Sequence, residues 1–518
     1  MKTFLPTLLA LAALPLLATG EYQATPSETP PYLWSNRSNW RVDGLVPDAL
    51  PGSSSIVWLD SAELTLEHPF ILDATIGAQE ISTLRLRNAA LRLNAGACLK
   101  TTSIANSFFL GDKEGQHSIL ELESGSAVTN SGVVYLANGG TAAITNRGGS
   151  FALTSANKNL IVGNAAGSRG TYTQTGGALS VAADWILGVN GNAEVQLLGG
   201  TAKCKNLQFG TKSGSGSLLT QIPLSVSGTI KVARGQLTLA GDATNDLAGL
   251  LFSTGTLRLQ GGTVRATSTT VRPNLQIATN GLLTGYGKVI NKTTTDAYAS
   301  FALSGGRVVA DGGELSLNTV IEMANILDSE TIPGSGWYAV NGGSVLMPCV
   351  YLPKTDGLAD VSVALGTNAG KEHPDLIGAC RITLRGKAST RDAYLRGGLL
   401  ALDHPEARLE SHPTPEKVVQ VWRFGLFSNR DTFTLDKCAP FTDATIEFRF
   451  DDAAVGASDR LVLRRLEGGK WVRVATVTAT AAGLIALSSP LPALDDELYN
   501  LGTYALSTSQ APTLILVY

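Results

Sequence analysis

Residues 160–178 read Leu160-Ile161-Val162-Gly163-Asn164-Ala165-Ala166-Gly167-Ser168-Arg169-Gly170-Thr171-Tyr172-Thr173-Gln174-Thr175-Gly176-Gly177-Ala178. A short apolar run stops on glycine, a polar turn of small residues follows, and a second run alternates. A glycine pair and a small residue close the unit. The pattern recurs on both sides: Phe108-Phe109-Leu110-Gly111, Val134-Tyr135-Leu136-Ala137, Trp185-Ile186-Leu187-Gly188 and Leu207-Gln208-Phe209-Gly210 repeat the first run. From Gly111 through Ala137, Gly163 and Gly188 to Gly210, the closing small residue returns after 26, 26, 25 and 22 positions. Second runs such as Ala193-Glu194-Val195-Gln196-Leu197 follow, and Gly199-Gly200-Thr201 and Gly261-Gly262-Thr263 close in the same way.

Within the runs, residues alternate at period two. Ala62 to Glu67, Ser82 to Arg87, Ile119 to Glu123, Gly235 to Leu239 and Thr256 to Leu259 place leucine or isoleucine on one side and charge or threonine on the other. That is strand patterning with one buried and one wet face. Helical patterning is confined to Leu317–Leu327. Strands of four to six residues, a repeat near 25 and glycine-rich corners predict a parallel β-helix, each repeat one coil stacked at roughly 4.8 Å. One coil cannot bury its own apolar face, so stability comes from stacking. Residues 55–402 would give about 14 coils, with a blurred repeat and larger loops beyond residue 265.

The chain has 518 residues, of which 56 are glycine, 16% charged and 6% aromatic, with a formal net charge of -3. Length allows two to four domains or one long array. The near-neutral balance argues against nucleic-acid binding, which needs a basic footprint. At the N-terminus Lys2, the apolar run Phe4–Leu17 and the small residues Ala18-Thr19-Gly20 make the sequence of a cleaved secretory signal over 1–20. That implies an exported protein, secreted or held at the cell surface. No later stretch is long and apolar enough to span a bilayer as a helix.

The expected organisation is therefore signal peptide 1–20, leader and N-terminal cap 21–54, parallel β-helix 55–402, linker 403–427 and C-terminal antiparallel β-sandwich 428–518. The leader, 21–31, reads as flexible. Trp34 and Trp40 flank a polar turn and read as a cap over the first coil, with carbohydrate stacking as the alternative. The linker carries Pro405, Pro413 and Pro415. In the C-terminal part, Arg460–Arg464 should pair with Trp471–Val474 through Glu467-Gly468-Gly469-Lys470.

The run-Gly-turn-run-Gly-Gly pattern of 107–265, the Trp34…Asn39-Trp40…Pro47 start and the Leu501-Gly502-Thr503-Tyr504-Ala505-Leu506 pattern resemble autotransporter-passenger-like β-strand repeats of large secreted bacterial proteins. The resemblance implies a right-handed parallel β-helix at the cell surface or released, closed by a small β-sandwich.

Chemistry is sparse. A glycosidase needs two carboxylates at a fixed separation. Asp112, Glu114 and His117 cluster after Gly111, Asp184 precedes Trp185, Asp311 precedes a glycine pair, and Asp356 and Asp360 flank Gly357. No two acids recur at one repeat spacing. Arg381 and Lys387 offer a lyase base without an acidic partner at strand spacing. His68, His117, His373, His404 and His412 are scattered, so no metal site is expected. Asp451-Asp452 and Asp495-Asp496-Glu497 read as solvated turns rather than calcium ligands. Gly210–Gly216 reads as a repeat corner, not a phosphate loop. Cys98, Cys204, Cys349, Cys380 and Cys438 read as small buried residues, with a Cys349–Cys380 disulfide as the alternative.

Two functions follow. The first is an exported, non-enzymatic adhesin or structural scaffold without cofactors, with extracellular glycans or cell-envelope components as partners. The second is a polysaccharide lyase, glycoside hydrolase or glycan-binding protein on the same scaffold, with Trp185, Trp337 and Trp422 as stacking platforms. A smooth Thr/Asn-lined flank favours the first. A cleft holding two acids and an exposed aromatic favours the second.

Overall fold

The computed structural model describes residues 20–26, 29–242, 244–266, 275–278, 280–291, 301–304, 306–318, 320–322, 337–347, 349–352, 361–365, 380–385, 393–402, 404–405, 416–427, 443–449, 460–478, 484–487 and 500–509. The expected signal segment lies outside these residues, apart from Gly20. The fold is all-β, with a parallel β-solenoid of about nine turns over residues 56–318. The chain divides into two compact units, Met1–Ala183 and Asp184–Tyr518.

In the first unit the rungs form three walls. Ile56–Asp60, Thr83–Arg87, Asn106–Leu110, Val133–Leu136 and Leu160–Val162 stack in parallel as the first. Phe70–Leu72, Ala89–Leu93, His117–Leu122 and the starts of the long strands Thr141–Leu153 and Arg169–Leu187 form the second. Gln79–Ile81, Cys98–Thr101 and Ala127–Asn130 lead the third, which the later parts of those long strands continue. The register carries inward side chains into columns. Val57, Leu84, Phe108, Val134 and Leu160 make one, and Leu59, Leu86, Leu110, Leu136 and Val162 the next, all buried. Each such side chain contributes about 1.5–3 kcal/mol of burial.

The corners need special backbone. Gly111, Gly163, Gly188 and Gly210 have φ of 59°, 70°, 73° and 60°, and Ala137 holds the same place at 64°. A side chain at Gly111 would put its Cβ 2.6 Å from the Thr141 carbonyl oxygen. We expect Gly111→Ala to lower stability by about 2 kcal/mol, from left-handed strain and this collision. Ala137→Gly should change it by less than about 0.5 kcal/mol, because relieved strain is offset by added chain entropy and a lost buried methyl. Guanidinium midpoints of the two variants check the contrast; a neutral Gly111→Ala refutes it.

Corner backbone groups are also satisfied from inside. Asn130 and Asn146 are fully buried. The Asn130 amide donates to Thr101 Oγ1 at 2.6 Å and Ser107 Oγ at 2.8 Å, and its Oδ1 accepts from the Gly132 N–H at 2.9 Å. Asn146 Oδ1 accepts from the Gly148 and Gly149 N–H groups. These side chains replace water at turns that have no ladder partner.

The start of the stack differs from the expected flexible leader. Glu21–Ala24 is a strand, parallel to Ile56–Asp60 and antiparallel to Trp40–Arg41. Tyr22 and Ala24 alternate inward with Glu21 and Gln23 outward, so the segment carries the same period-two code as a rung. It covers the first rung's open edge. Trp34 and Trp40 pack edge-on at 4.8 Å, Trp40 lies 4.9 Å from Phe70, and both indoles are buried. The capping reading of this pair accounts for their environment; the stacking alternative does not.

In the second unit the parallel ladder continues through Asn192–Leu197, Ser215–Thr220, Gly235–Ala240, Thr256–Ala266, Leu282–Asn291 and Arg307–Asn318. The solenoid ends at residue 318 rather than 402. Trp337–Leu346 and Cys349–Leu352 still pair in parallel with the strands before them, but Ala393–Leu400 lies antiparallel to both. Gly397-Gly398, which continues the repeat's style, therefore belongs to the strand that reverses direction. Arg396 on this strand is buried and donates to the Met347 carbonyl, Ser316 Oγ and Asn318 Oδ1, fastening the reversal to the last turn.

Two further expectations are corrected. The 317–327 segment is not helical where described. Leu317 and Asn318 end one strand and Val320–Glu322 is another, because Leu315 and Leu317 alternate with Ser316 and Asn318. The expected linker 403–427 carries the strand Glu416–Phe427, paired antiparallel with Ala393–Leu400 and Asn500–Ser509. Val421 and Trp422 are both buried, so apolar residues on successive positions outweigh the nearby prolines. Of the C-terminal sandwich, antiparallel strands in two sheets are present. One sheet holds 393–400, 416–427, 500–509, 460–467 and 470–478; the other holds Val361–Leu365, Cys380–Arg385, Asp443–Arg449 and Leu484–Leu487. Both therefore begin before residue 428. The Arg460–Glu467 and Lys470–Thr478 hairpin turns on Gly468-Gly469, both at positive φ, as the sequence predicts.

Candidate functional site

Three side-chain clusters stand on the outer walls. The first is a column on the first wall. Trp58, Arg85, Phe109 and Tyr135 are in register on successive rungs. The Arg85 guanidinium lies 4.8 Å from the Trp58 ring and 4.2 Å from the Phe109 ring, and Arg87 lies 4.1 Å from Trp58. Phe109 and Tyr135 stack at 5.3 Å with 11° between planes. Parallel stacking turns the Phe109 and Tyr135 faces toward each other, and the guanidinium occupies one face of Trp58. Beside the column, Asp112 accepts from Arg85 at 2.8 Å, Arg87 at 2.9 Å and Asn138 at 3.1 Å. Asn164 in turn donates to Asn138 Oδ1 at 2.8 Å.

The second cluster is on the second wall. Glu121 is buried, and pairs with Arg92 and Arg147 at 2.7 Å each; Arg147 also reaches Glu123. Burial pulls the Asp112 and Glu121 pKa values upward. For Asp112, hydrogen bonds from Arg87 and Asn138 and the charges of Arg85 and Arg87 outweigh it. For Glu121, Arg147 and Arg92 do the same, so both carboxyls are held below their ordinary ranges.

The sign of the pH dependence follows. A carboxyl with a depressed folded pKa contributes stability that is present above its ordinary value and lost as pH falls through the folded one. We expect Asp112→Asn and Glu121→Gln each to destabilise by about 1–3 kcal/mol at pH 7, limited by part-exposed arginines. The deficit should shrink as pH falls below the ordinary values of 3.8 and 4.5. Guanidinium midpoints of wild type and variants against pH read this directly. A deficit that grows on acidification contradicts the clamp.

The third cluster lies at a corner of the second unit. Arg258, Thr284 and Val309 are in register, and Arg258 crosses that span to pair with Asp311 at 2.9 Å. Asn341, in register with Asp311, donates to its other oxygen at 3.1 Å. Tyr286, opposite Gln260, is 41% exposed.

Other sequence candidates fall as follows. Glu114 is exposed, and exposed His117 contacts Thr141 Oγ1 through Nδ1 at 2.8 Å. Asp184 accepts from Asn206 at 2.7 Å and Gln208 at 2.8 Å. Cys204 beside it is buried, its thiol pushed up to about 12 by burial and then by Asp184, while Cys98 is half-buried. Cys349 and Cys380 belong to strands of different sheets. Trp185 and Trp422 are buried, so neither is a stacking platform. Their positions share the inward parity of Leu187 and Phe424. The side chains of Trp337 and Arg381 lie outside the described residues, as do Asp356, Asp360, His373, Lys387, His412, Cys438, Asp451, Asp452, Asp495, Asp496 and Glu497. Among the described residues, no group of three His, Cys, Asp or Glu forms a metal-binding set, and no helix is long and apolar enough to cross a membrane.

Sequence reasoning did not single out Arg85, Arg92, Arg147 or Tyr286. Aligning the chain at its own period would bring Arg85 and Arg87 beside Asp112, and Arg92 beside Glu121. Compared with known proteins, the chain matches no family model, no curated protein and no solved structure.

Proposed function

We propose that the chain is an exported, non-enzymatic β-solenoid that acts as an extracellular or cell-surface scaffold or adhesin. The observation that carries this reading is the state of Asp112 and Glu121. Each is held between two arginines with its pKa lowered, so that it stays ionised. A glycosidic general acid needs the opposite, a proton retained near neutrality. Such carboxylates serve as struts between rungs.

The outer face of the second wall supports the same reading. Ala143 and Thr145 stand in register with Thr171 and Thr173, beside the Asn138–Asn164 ladder. A regular wall of this kind offers an extended binding face without a pocket. Lys2, the Phe4–Leu17 run and Ala18-Thr19-Gly20 support export.

The test has two arms. Expressed in a bacterium with an intact secretory system, the protein should lose its first 20 or so residues and leave the cytoplasm, as read by intact-mass spectrometry of fractions. Purified, it should release neither reducing ends nor unsaturated products from polyuronates and neutral glycans. Cytoplasmic retention with an intact N-terminus defeats export. Product release abolished by changing one acid pair defeats the non-enzymatic reading.

A further inference from the structure

We infer that the corner formed by Tyr286, Gln260, Arg258, Asp311 and Asn341 binds a neutral pyranose unit of a glycan. The inference rests on the reading of the chain as an exported binding scaffold.

Tyr286 is the exposed large aromatic among the described residues, where the other exposed large apolar side chains are aliphatic. Its neighbours are glycines. A Cβ at Gly313 would stand 2.9 Å from Tyr286 Cβ and 3.1 Å from its Cγ, and one at Gly261 3.6 Å from Cε2. Small residues on the rungs before and after thus leave room for the ring, where a larger residue at 313 would displace it.

A local irregularity frames the ring. Gly285 pairs with Ala310 and Gly287 with Leu315, so Asp311, Gly312, Gly313 and Glu314 all stand opposite Tyr286. Gly312 has φ 82°. Such bulges re-aim side chains at the edge of a wall. Here the bulge starts with Asp311, an acid held from two sides, by Arg258 at 2.9 Å and by Asn341 at 3.1 Å.

The composition fits a sugar. A pyranose offers an apolar C–H face and a rim of hydroxyls. Tyrosine supplies a flat apolar surface with a polar tip. A carboxylate has about four acceptor sites, and Arg258 and Asn341 take one on each oxygen, leaving capacity for hydroxyl donors. The arginine pair fixes the carboxylate before any ligand arrives, which lowers the ordering needed on binding. Charge selects the class of sugar. Asp311, exposed Glu314 and Asp242, which lies beside Gly261, outnumber Arg258 and exposed Lys288 by three to two, which disfavours a uronate or sulfated unit.

The experiment is affinity electrophoresis of the full chain through gels containing mannan, laminarin, xyloglucan or galactomannan, with polygalacturonate as the anionic arm. Wild type should be retarded by at least one neutral glycan and not by polygalacturonate. Tyr286→Ala should weaken retardation at least about tenfold, and Tyr286→Phe by less than about threefold. Denaturant midpoints of both variants should stay with wild type, because the ring is exposed. Asn341→Ala, a second exposed change, should weaken binding about threefold or more.

Retardation by none of the four neutral glycans, stronger retardation by polygalacturonate, or Tyr286→Ala indistinguishable from wild type overturns the proposal. A Tyr286→Ala variant that loses stability but, where folded, keeps its affinity also overturns it: the ring is then a cover for Gly261 and Gly313. Release of reducing ends during wild-type binding would leave this inference standing and remove the non-enzymatic reading instead.

Discussion

Trp40→Ala should lower the stability of the first unit by about 3–5 kcal/mol, the usual range for deleting a fully buried tryptophan. The indole is enclosed by Trp34 at 4.8 Å, Phe70 at 4.9 Å and Tyr22 at 6.3 Å, each close to edge-on. Its Nε1 donates to the Trp34 carbonyl at 2.9 Å, so truncation also strands a buried acceptor. The cap is a relay. Trp40–Arg41 pairs with Glu21–Ala24, which pairs with Ile56–Asp60, the first rung. Loosening the indole should therefore uncover the edge of the rung stack. Two readouts are expected to move together: the guanidinium midpoint, and concentration-dependent association by light scattering. Trp40→Phe, which keeps most of the apolar volume, should show about half the loss. A midpoint unchanged in Trp40→Ala would mean that the pair does not close the stack.

Asn130→Leu should cost about 3–5 kcal/mol although leucine is the commonest inward residue of the rungs. The substitution removes the partner of the Thr101 hydroxyl, the Ser107 hydroxyl and the Gly132 N–H at once. Thr101 and Ser107 are themselves fully buried, and each stranded group costs about 1–3 kcal/mol. Leucine's burial gain recovers about 1–2 kcal/mol of the sum. A hydrophobic-core account predicts the opposite sign, so the midpoint of this one variant separates the two. The triple change Asn130→Leu, Thr101→Val, Ser107→Ala should recover part of the loss, because fewer polar groups remain without partners.

The repeat was legible because its physical cause is local. A left-handed corner favours glycine, so Gly111, Gly163, Gly188 and Gly210 recur at the turn period, and inward leucines follow from alternation. The stack's end was not legible. A parallel rung and an antiparallel strand carry the same period-two code, and Gly397-Gly398 looks like a corner pair while lying within a reversing strand. The prolines of 405–415 drew attention from the alternating run Val418 to Phe427. Tryptophans misled as site markers for a related reason. Trp185 and Trp422 face inward, whereas the aromatic left exposed is Tyr286, whose role depends on glycines one rung away. The arginine clamps join residues 25 to 29 positions apart, one turn of the coil, and become visible only when the period is used as a ruler.

That near-constant ruler bears on descent as well as on packing. Each first-unit turn offers its successor a hydrogen-bonding edge like the one it received from its predecessor. Unequal recombination that copies one period in frame would insert a whole storey between two others and leave both with a fitting neighbour. A lineage carrying this architecture can therefore change its reach in discrete steps, and each newly added storey is free to diverge on its outward side while the inward side is held fixed.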